Sequence, residues 1–338
     1  MRITVLSGGI GGARFLSGLL DALGRSEHTT GTSSDPVTVI GNTADDIWMF
    51  GLKICPDLDT VMYTLGDGID SERGWGRQDE TWNAKEELAA YGVEPTWFGL
   101  GDRDLATHVV RTQMLGAGYS LTEVTAALCA RWQPGVTLLP MSDDRVETHV
   151  VIDAADDDPA AQGGRKAVHF QEYWVRLHAP TAHAVIPVGA ETSSPAPGVI
   201  AAIEEADVVV VPPSNPVVSV GTILAVPGIA DAVRRTQASV VGVSPIIGGA
   251  PVRGMADKLL PVIGVDVTAR AVGEHYGARS QGGLIDAWLV DEADAADVPA
   301  LEAIGLRAVA VPLYMTDPDA ARELARHTLS LASPEHVA

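Results

Sequence analysis

Cysteine, basic residues and long apolar runs are all scarce in this chain. Only Cys55 and Cys129 occur among 338 residues, and they lie far apart. That excludes a disulfide framework and a cysteine-built metal site, and makes the reducing cytoplasm the expected compartment. Lys and Arg number 23 against 44 Asp and Glu, a formal charge of −21. Such an acidic surface argues against nucleic acid or an anionic membrane as a partner, because both are held by basic patches. No stretch approaches the roughly 20 apolar residues that span a bilayer. The Met1–Leu6 run is too short for a secretory signal. Charged residues are 20% and apolar residues 46%, enough to build a core and to exclude general disorder.

Residues 2 to 6 read as a buried strand that runs into Gly8-Gly9-Ile10-Gly11-Gly12. Phe15, Leu19 and Leu23 then recur every four residues, a helical stripe with Gly24 placed to end it. With the strand Val37–Ile40 this makes a βαβ unit and implies a parallel sheet. Residues 43–135 read as a mainly helical insertion carrying most of the tryptophans. Asp102 is placed to cap one of its helices, and Ser120 with Glu123 to form a capping box. Val136–Leu139 is a further strand. Residues 146–152 and 168–177 pair antiparallel within a hairpin-like insertion at about 146–185, around a solvated Asp153–Lys166 loop. Strand-like runs return at Val208–Val211, Val240–Val243, Leu284–Val290 and Ala308–Val311. The expected fold is one α/β domain over 1–338. Its doubly wound, mostly parallel sheet carries a helical insertion and a small antiparallel β element.

The glycine cluster sits where a strand meets a helix, and free helix N–H groups attract anions. Gly9, Gly11 and Gly12 therefore point to a phosphate or diphosphate. A dinucleotide fingerprint is not met: its third glycine position is Arg14, and Gly41-Asn42 stands where a ribose-binding acid belongs. No P-loop motif is present. Asn42-Thr43-Ala44-Asp45-Asp46 follows the second strand, where ligands of open α/β sheets bind, and Cys55-Pro56-Asp57-Leu58-Asp59 follows soon after. An acidic protein binding a diphosphate needs a divalent cation, and Mg²⁺ held by one or two carboxylates supplies it. Asp45 with Asp59 is the preferred pair, with Asp46 and Asp57 as alternatives. Helix capping is the competing reading for Asp46.

Seven motifs, in order, carry a resemblance. They are Ser7–Phe15, Asn42–Asp46, Cys55–Tyr63, Trp97–Asp104, Leu139–Asp144, Pro213–Ser219 and Ser244–Gly249. Together they resemble the 2-phospho-L-lactate transferase family of coenzyme F(420) biosynthesis, in its actinobacterial, phosphoenolpyruvate-transferring form. The resemblance implies a Rossmann-like fold and Mg²⁺-dependent transfer of a 2-phospho-L-lactyl or phosphoenolpyruvyl group. The donor is a guanylylated three-carbon acid, the acceptor the ribityl hydroxyl of the deazaflavin Fo, and GMP leaves. It also implies a homodimer. Asp45 would bind metal and Fo and accept the hydroxyl proton, and Lys85 would contact Fo or phosphate. Ser214, Asn215 and Ser219 would lie on the nucleotide, Ser219 also capping a helix. Trp82 or Trp97 offers a stacking surface, with core packing as the plainer reading. Arg103 reads as a phosphate contact or an ion pair, and His108 as a core histidine. The runner-up is a nucleotide-sugar-binding regulatory protein of the gluconeogenesis-factor type on the same fold.

Overall fold

A computed structural model describes residues 1–25, 36–155 and 157–332. Strand β1 (Ile3–Ser7) feeds helix α1 (Gly9–Ala22) and then β2 (Val37–Gly41). A short hairpin, β3 (Ile47–Met49) and β4 (Leu52–Ile54), leads into α2 (Pro56–Leu65), α3 (Asn83–Ala90), α4 (Asp102–Gly116) and α5 (Leu121–Trp132). Strand β5 (Thr137–Pro140) returns to the sheet. Next come the antiparallel strands β6 (Glu147–Asp153), β7 (Arg165–His169) and β8 (Ala182–Val188). Helix α6 (Val199–Glu204), β9 (Val208–Val211), α7 (Val220–Ala225), α8 (Ile229–Arg235) and β10 (Ser239–Val243) resume the alternation. The hairpin β11 (Ile246–Ile247) and β12 (Ala250–Pro251) precedes α9 (Ala256–Leu259), α10 (Ala269–Tyr276), β13 (Ala287–Val290), α11 (Val298–Ala303), β14 (Arg307–Ala310) and α12 (Pro318–Ala332).

Seven strands form one parallel sheet in the order β14-β13-β10-β9-β1-β2-β5. Alternation along the strands splits the core into two layers, as a doubly wound sheet requires. Ile3, Val5, Val208 and Val210 pack with Phe15, Leu58, Leu128 and Leu324 of α1, α2, α5 and α12. Leu6, Ile40, Val209 and Val211 pack on the other face with Val199, Val220, Ile229 and Val272 of α6, α7, α8 and α10. The chain runs outward from β1 through β2 to β5, then crosses to β9 on the far side of β1. The order therefore reverses between β1 and β9, and a crevice opens at their carboxyl ends. Among the described residues no helix is long and apolar enough to cross a membrane.

Several local expectations change. Residues 168–177 do not form one strand: β7 ends at His169, and Glu172–Arg176 is a π-helical turn. The antiparallel element is a three-stranded sheet, β7-β6-β8, rather than a hairpin. Asp156 of the loop between β6 and β7 lies outside the described residues; Asp158 of the same loop pairs with Lys166 of β7 at 2.6 Å. The Ser120–Glu123 capping box forms as expected. Asp102 makes no cap on α4, the helix it begins. It reaches across to α3, accepting from Thr81 Oγ1 at 2.6 Å, Ala84 N at 2.9 Å and Asn83 N at 3.1 Å. Those bonds, that of Thr81 first, hold its carboxyl down at about 2.

Asp102→Ala therefore removes the cap that joins α3 to α4, and its melting temperature is expected to fall below wild type at neutral pH. A carboxyl depressed by folding stabilises above its unfolded pKa and stops doing so as pH falls through its folded one. The gap in melting temperature should thus be full above about pH 4 and close as pH drops toward 2. Melts in parallel buffers that show a gap independent of pH refute the cap.

Candidate functional site

The crevice holds a cavity of about 580 Å³. One wall is the turn from β1 into α1 (Gly8 to Gly11), facing the turn after β9 (Pro213, Ser214, Asn215). Gly9 has φ +62°, a conformation side chains resist, and a Cβ on Gly11 would stand 2.4 Å from Pro213 O. Glycine here lets α1 start directly against the β9 turn. Ser214 fastens that turn: its Oγ donates to Gly8 O at 2.8 Å and accepts from Gly8 N at 3.2 Å. No side chain caps α1 at Gly8. The first-turn N–H groups of Ile10 and Gly11 have no acceptor within their own helix, and both residues line the cavity. This is a place for an anion.

The other wall carries carboxylates. Asp45, Asp46, Asp57 and Asp59 are all buried. Asp46 does not line the cavity; its partner is Lys53 Nζ at 3.1 Å. Asp59 binds Arg111 through Oδ1. Asp57 accepts from Asn42 Nδ2 at 2.9 Å and from the Gly9 N–H, yet burial pushes its carboxyl up to about 6. Asn42 is a hub, since its Nδ2 also donates to Val218 O at 3.2 Å and its Oδ1 accepts from Ala44 N and Thr222 Oγ1. Asp45 is raised well above the usual carboxylate range, by burial first and then by Asp57 and Asp46; Asn42 and Thr148 oppose this without reversing it. Two of these cavity-lining aspartates keep a buried oxygen with no well-formed hydrogen bond, Asp45 Oδ1 and Asp59 Oδ2. Hard carboxylate oxygens of this kind suit Mg²⁺, so the residues present fit the ion that the sequence implies.

Asp59 leads into a second group on α4. His108, expected as a core histidine, borders the cavity. Arg111 Nη1 lies 3.0 Å from His108 Nδ1; a guanidinium can only donate, so Nδ1 accepts and the proton sits on Nε2. Nε2 faces Asp104 Oδ2 at 3.4 Å, and Tyr63 donates to Asp104 Oδ1 at 2.6 Å. Burial works against the charge on Asp104, but the hydrogen bond from His108 and its neighbours hold the carboxyl below its usual range. Ligand atoms of Asp59, Asp104 and His108 lie within 4.8 Å of one another.

The remaining sequence candidates divide. Gly9, Gly11, Asp45, Asp59, Ser214, Asn215 and Ser219 all border the cavity. Gly12 does not; it is buried, where a Cβ would stand 2.1 Å from Ser7 Oγ. Asn215 Oδ1 accepts from Val217 N at 2.9 Å and Val218 N at 3.2 Å, and Ser219 makes no cap on α7. Lys85 borders a separate shallow crevice with Leu88, Pro95 and Leu105, its Nζ 5.8 Å from the Trp82 ring centre. Trp82 and Trp97 do not line the cavity, whereas Trp75 and Trp174 do. Arg103 is largely exposed, pairing with Asp79 at 3.7 Å. Tyr63, Asp104, Arg14 and Arg253, also cavity residues, were not singled out from the sequence as its lining. Arg14, Tyr63 and Asp104 lie within the motifs Ser7–Phe15, Cys55–Tyr63 and Trp97–Asp104, while Arg253 had no sequence signal.

A family model described as 2-phospho-L-lactate transferase CofD matches residues 3–317. Proteins named phosphoenolpyruvate transferase are similar over nearly the whole chain. That of Streptomyces griseus subsp. griseus is 63% identical over 333 residues, covering 98% of both chains. That of Kitasatospora aureofaciens is 64% identical over 333 residues, with the same coverage. That of Mycolicibacterium smegmatis is 58% identical over 334 residues, covering 98% of this chain and 99% of its own. Among solved structures, a UPF0052-family protein of Bacillus halodurans superposes with a TM-score of 0.61 at 18% identity, covering 97% of this chain and 99% of that one. At that identity the likeness is one of fold.

The pairing of Asp59 with Arg111 makes a direct prediction. Arg111 is 1% exposed, so Arg111→Leu strands a buried carboxylate, which costs about 3–5 kcal/mol. Urea unfolding should show that loss, and adding Asp59→Asn should recover part of it. A loss below about 1 kcal/mol would mean that the pair is open to water.

Proposed function

Because the chain belongs to the 2-phospho-L-lactate transferase CofD family, and is a transferase acting on phosphate-bearing groups in coenzyme F(420) biosynthesis, we propose that it moves a phosphoenolpyruvyl group from a guanylylated donor to the deazaflavin Fo. The observation that carries this reading is a juxtaposition. One cavity holds the start of α1, with the Ile10 and Gly11 N–H groups lacking acceptors within the helix, and two carboxylates, Asp45 and Asp59, each with an unpartnered oxygen.

The donor's diphosphate lies against the N–H groups of Ile10 and Gly11, with Arg14 on the next turn of α1 beside it. Asn215 and Ser219 face its nucleoside end. Asp45 Oδ1 and Asp59 Oδ2 are the residues that would hold Mg²⁺, Arg111 keeping Asp59 oriented through its other oxygen. A bound magnesium ion screens phosphate oxygens and acidifies a ligating hydroxyl. The terminal ribityl oxygen of Fo attacks the phosphorus that bears the three-carbon group. The bond from that phosphorus to the bridging oxygen breaks, GMP leaves with both bonding electrons, and the hydroxyl proton passes to Asp45. Chemistry of this kind depends on positioning and charge screening. Lys85 as an Fo contact rests on the resemblance alone, since its crevice is a separate one. We also propose a homodimer working in the cytoplasm on small-molecule substrates.

One assay tests the whole reading. Protein, Fo, Mg²⁺ and freshly made donors of both three-carbon kinds are combined and the product weighed. An enolpyruvyl product is lighter than a lactyl one by two hydrogens, so the mass names the donor, and no product with either removes the assignment. Asp45→Asn should fold and lose turnover by roughly a hundredfold or more. Near-normal turnover of that variant at saturating Mg²⁺ rejects the role given to Asp45.

A further inference from the structure

Trp75 and Trp174 are 43% and 41% exposed, and both border the cavity. Exposed tryptophan is costly, and its large flat face is a binding surface when it lines a concave site. The two indoles come from different insertions. Trp75 stands in the loop after α2, backed by the Arg73 guanidinium 5.2 Å from its ring centre. Arg73 is itself held by Asp70 at 2.8 Å and lies 5.3 Å from the ring centre of Trp82, whose indole meets that of Trp75 edge-on at 6.5 Å. Gly99 passes close to this cluster: a Cβ there would be 3.3 Å from Trp75 Cη2 and 3.4 Å from Trp82 Cζ3. Trp75 is therefore a braced ring.

Trp174 rides on the π-helical turn Glu172–Arg176, a distortion frequent at functional sites. That turn is tied to the carboxylate loop. Gln171 Nε2 donates to Asp45 O at 3.3 Å, and His169 Nε2 lies 3.1 Å from Asp46 O. Trp174 is thus set at a defined offset from the group to which the acceptor's hydroxyl must come. The anion-binding features lie on the sheet side of the cavity, and the aromatic surface lies on its insertions.

We propose that Trp75 and Trp174 are the specificity-determining residues for the acceptor, stacking on its planar fused-ring end while its hydroxylated tail reaches Asp45. This rests on the transferase reading and deepens it. Stacking on an aromatic side chain is a matter of shape and polarisable surface, so phenylalanine should keep most of it and alanine should not.

The test is titration of Fo, followed by its fluorescence, with steady-state kinetics beside it. Trp75→Ala and Trp174→Ala should each weaken Fo binding and raise the KM for Fo by about 5- to 100-fold. The KM for the donor should stay within about twofold, and Trp75→Phe and Trp174→Phe should recover most of the loss. Trp48→Ala is the control: Trp48 is 47% exposed and does not line the cavity, so Fo binding should not change. If wild type binds Fo and both alanine variants bind as tightly, the stacking proposal falls and the transferase reading stands. An effect confined to one tryptophan overturns the assignment of the two as a pair. If wild type itself leaves Fo unperturbed, the acceptor assignment falls and takes the stacking with it.

Discussion

Four buried aspartates between positions 45 and 59, answered among the described residues by two buried cations, set the terms for everything around the cavity. Lys53 takes Asp46 and Arg111 takes Asp59. Among the described residues Asp45 and Asp57 have no cationic partner of their own, and burial raises both. A folded chain tolerates such an arrangement when polar groups or a bound cation offset it. Here the offset comes in pieces. Asn42 and the start of α1 support Asp57, and Arg111 supports one oxygen of Asp59. The oxygens left over are those pointing to an added positive charge. The same acidity that makes the surface unsuited to nucleic acid thus becomes specific inside the crevice.

The sheet and the insertions divide the work. Strands β1, β2 and β9 are buried on both faces, so the turns that leave them are held by the most rigid part of the molecule. Ser214 and Gly8 lock two of those turns together, and Asn42 ties the β2 turn to α2 and to the residues before α7. Rigid turns suit a diphosphate, whose oxygens need donors at fixed positions. The insertions bring what the sheet lacks: α4 supplies Arg111, His108 and Asp104, and the segments after α2 and β7 supply the indoles. A doubly wound sheet hosts many activities, and these additions make this one particular.

The parts legible in the sequence were those with short-range causes. Alternating valines revealed the strands, a four-residue stripe revealed α1, and Ser120 with Glu123 announced α5 through contacts three residues apart. Asp45, Asp59, Ser214 and Asn215 were found because ligands of open sheets gather where strands end. What stayed hidden was decided at long range. Asp102 has the position of a cap for α4, but its acceptor geometry is used by α3, through residues about twenty positions away. His108 sits beside the valines of α4, and only the packing of α4 next to α2 places Asp59 against it. The run 168–177 has strand-like composition, yet Tyr173 turns inward to donate to Pro180 O at 2.9 Å and the chain coils there. The tryptophans show the same limit: composition counts them, but only the tertiary fold separates Trp82, which backs an arginine, from Trp75, which meets the cavity.

That separation bears on how one fold acquires its substrate. The diphosphate side is made of backbone donors, glycines and serines, which read charge and little else. A site of that kind cannot distinguish one nucleotide-linked acid from another by its phosphates, because both present the same oxygens. Selectivity must come from surfaces that touch the parts that differ, and in this cavity those surfaces sit on the insertions. Such loops change more freely than β1, whose every side chain is buried between two helical layers. The chain therefore keeps its diphosphate cradle in the part that resists change and its choice of acceptor in the part that can vary.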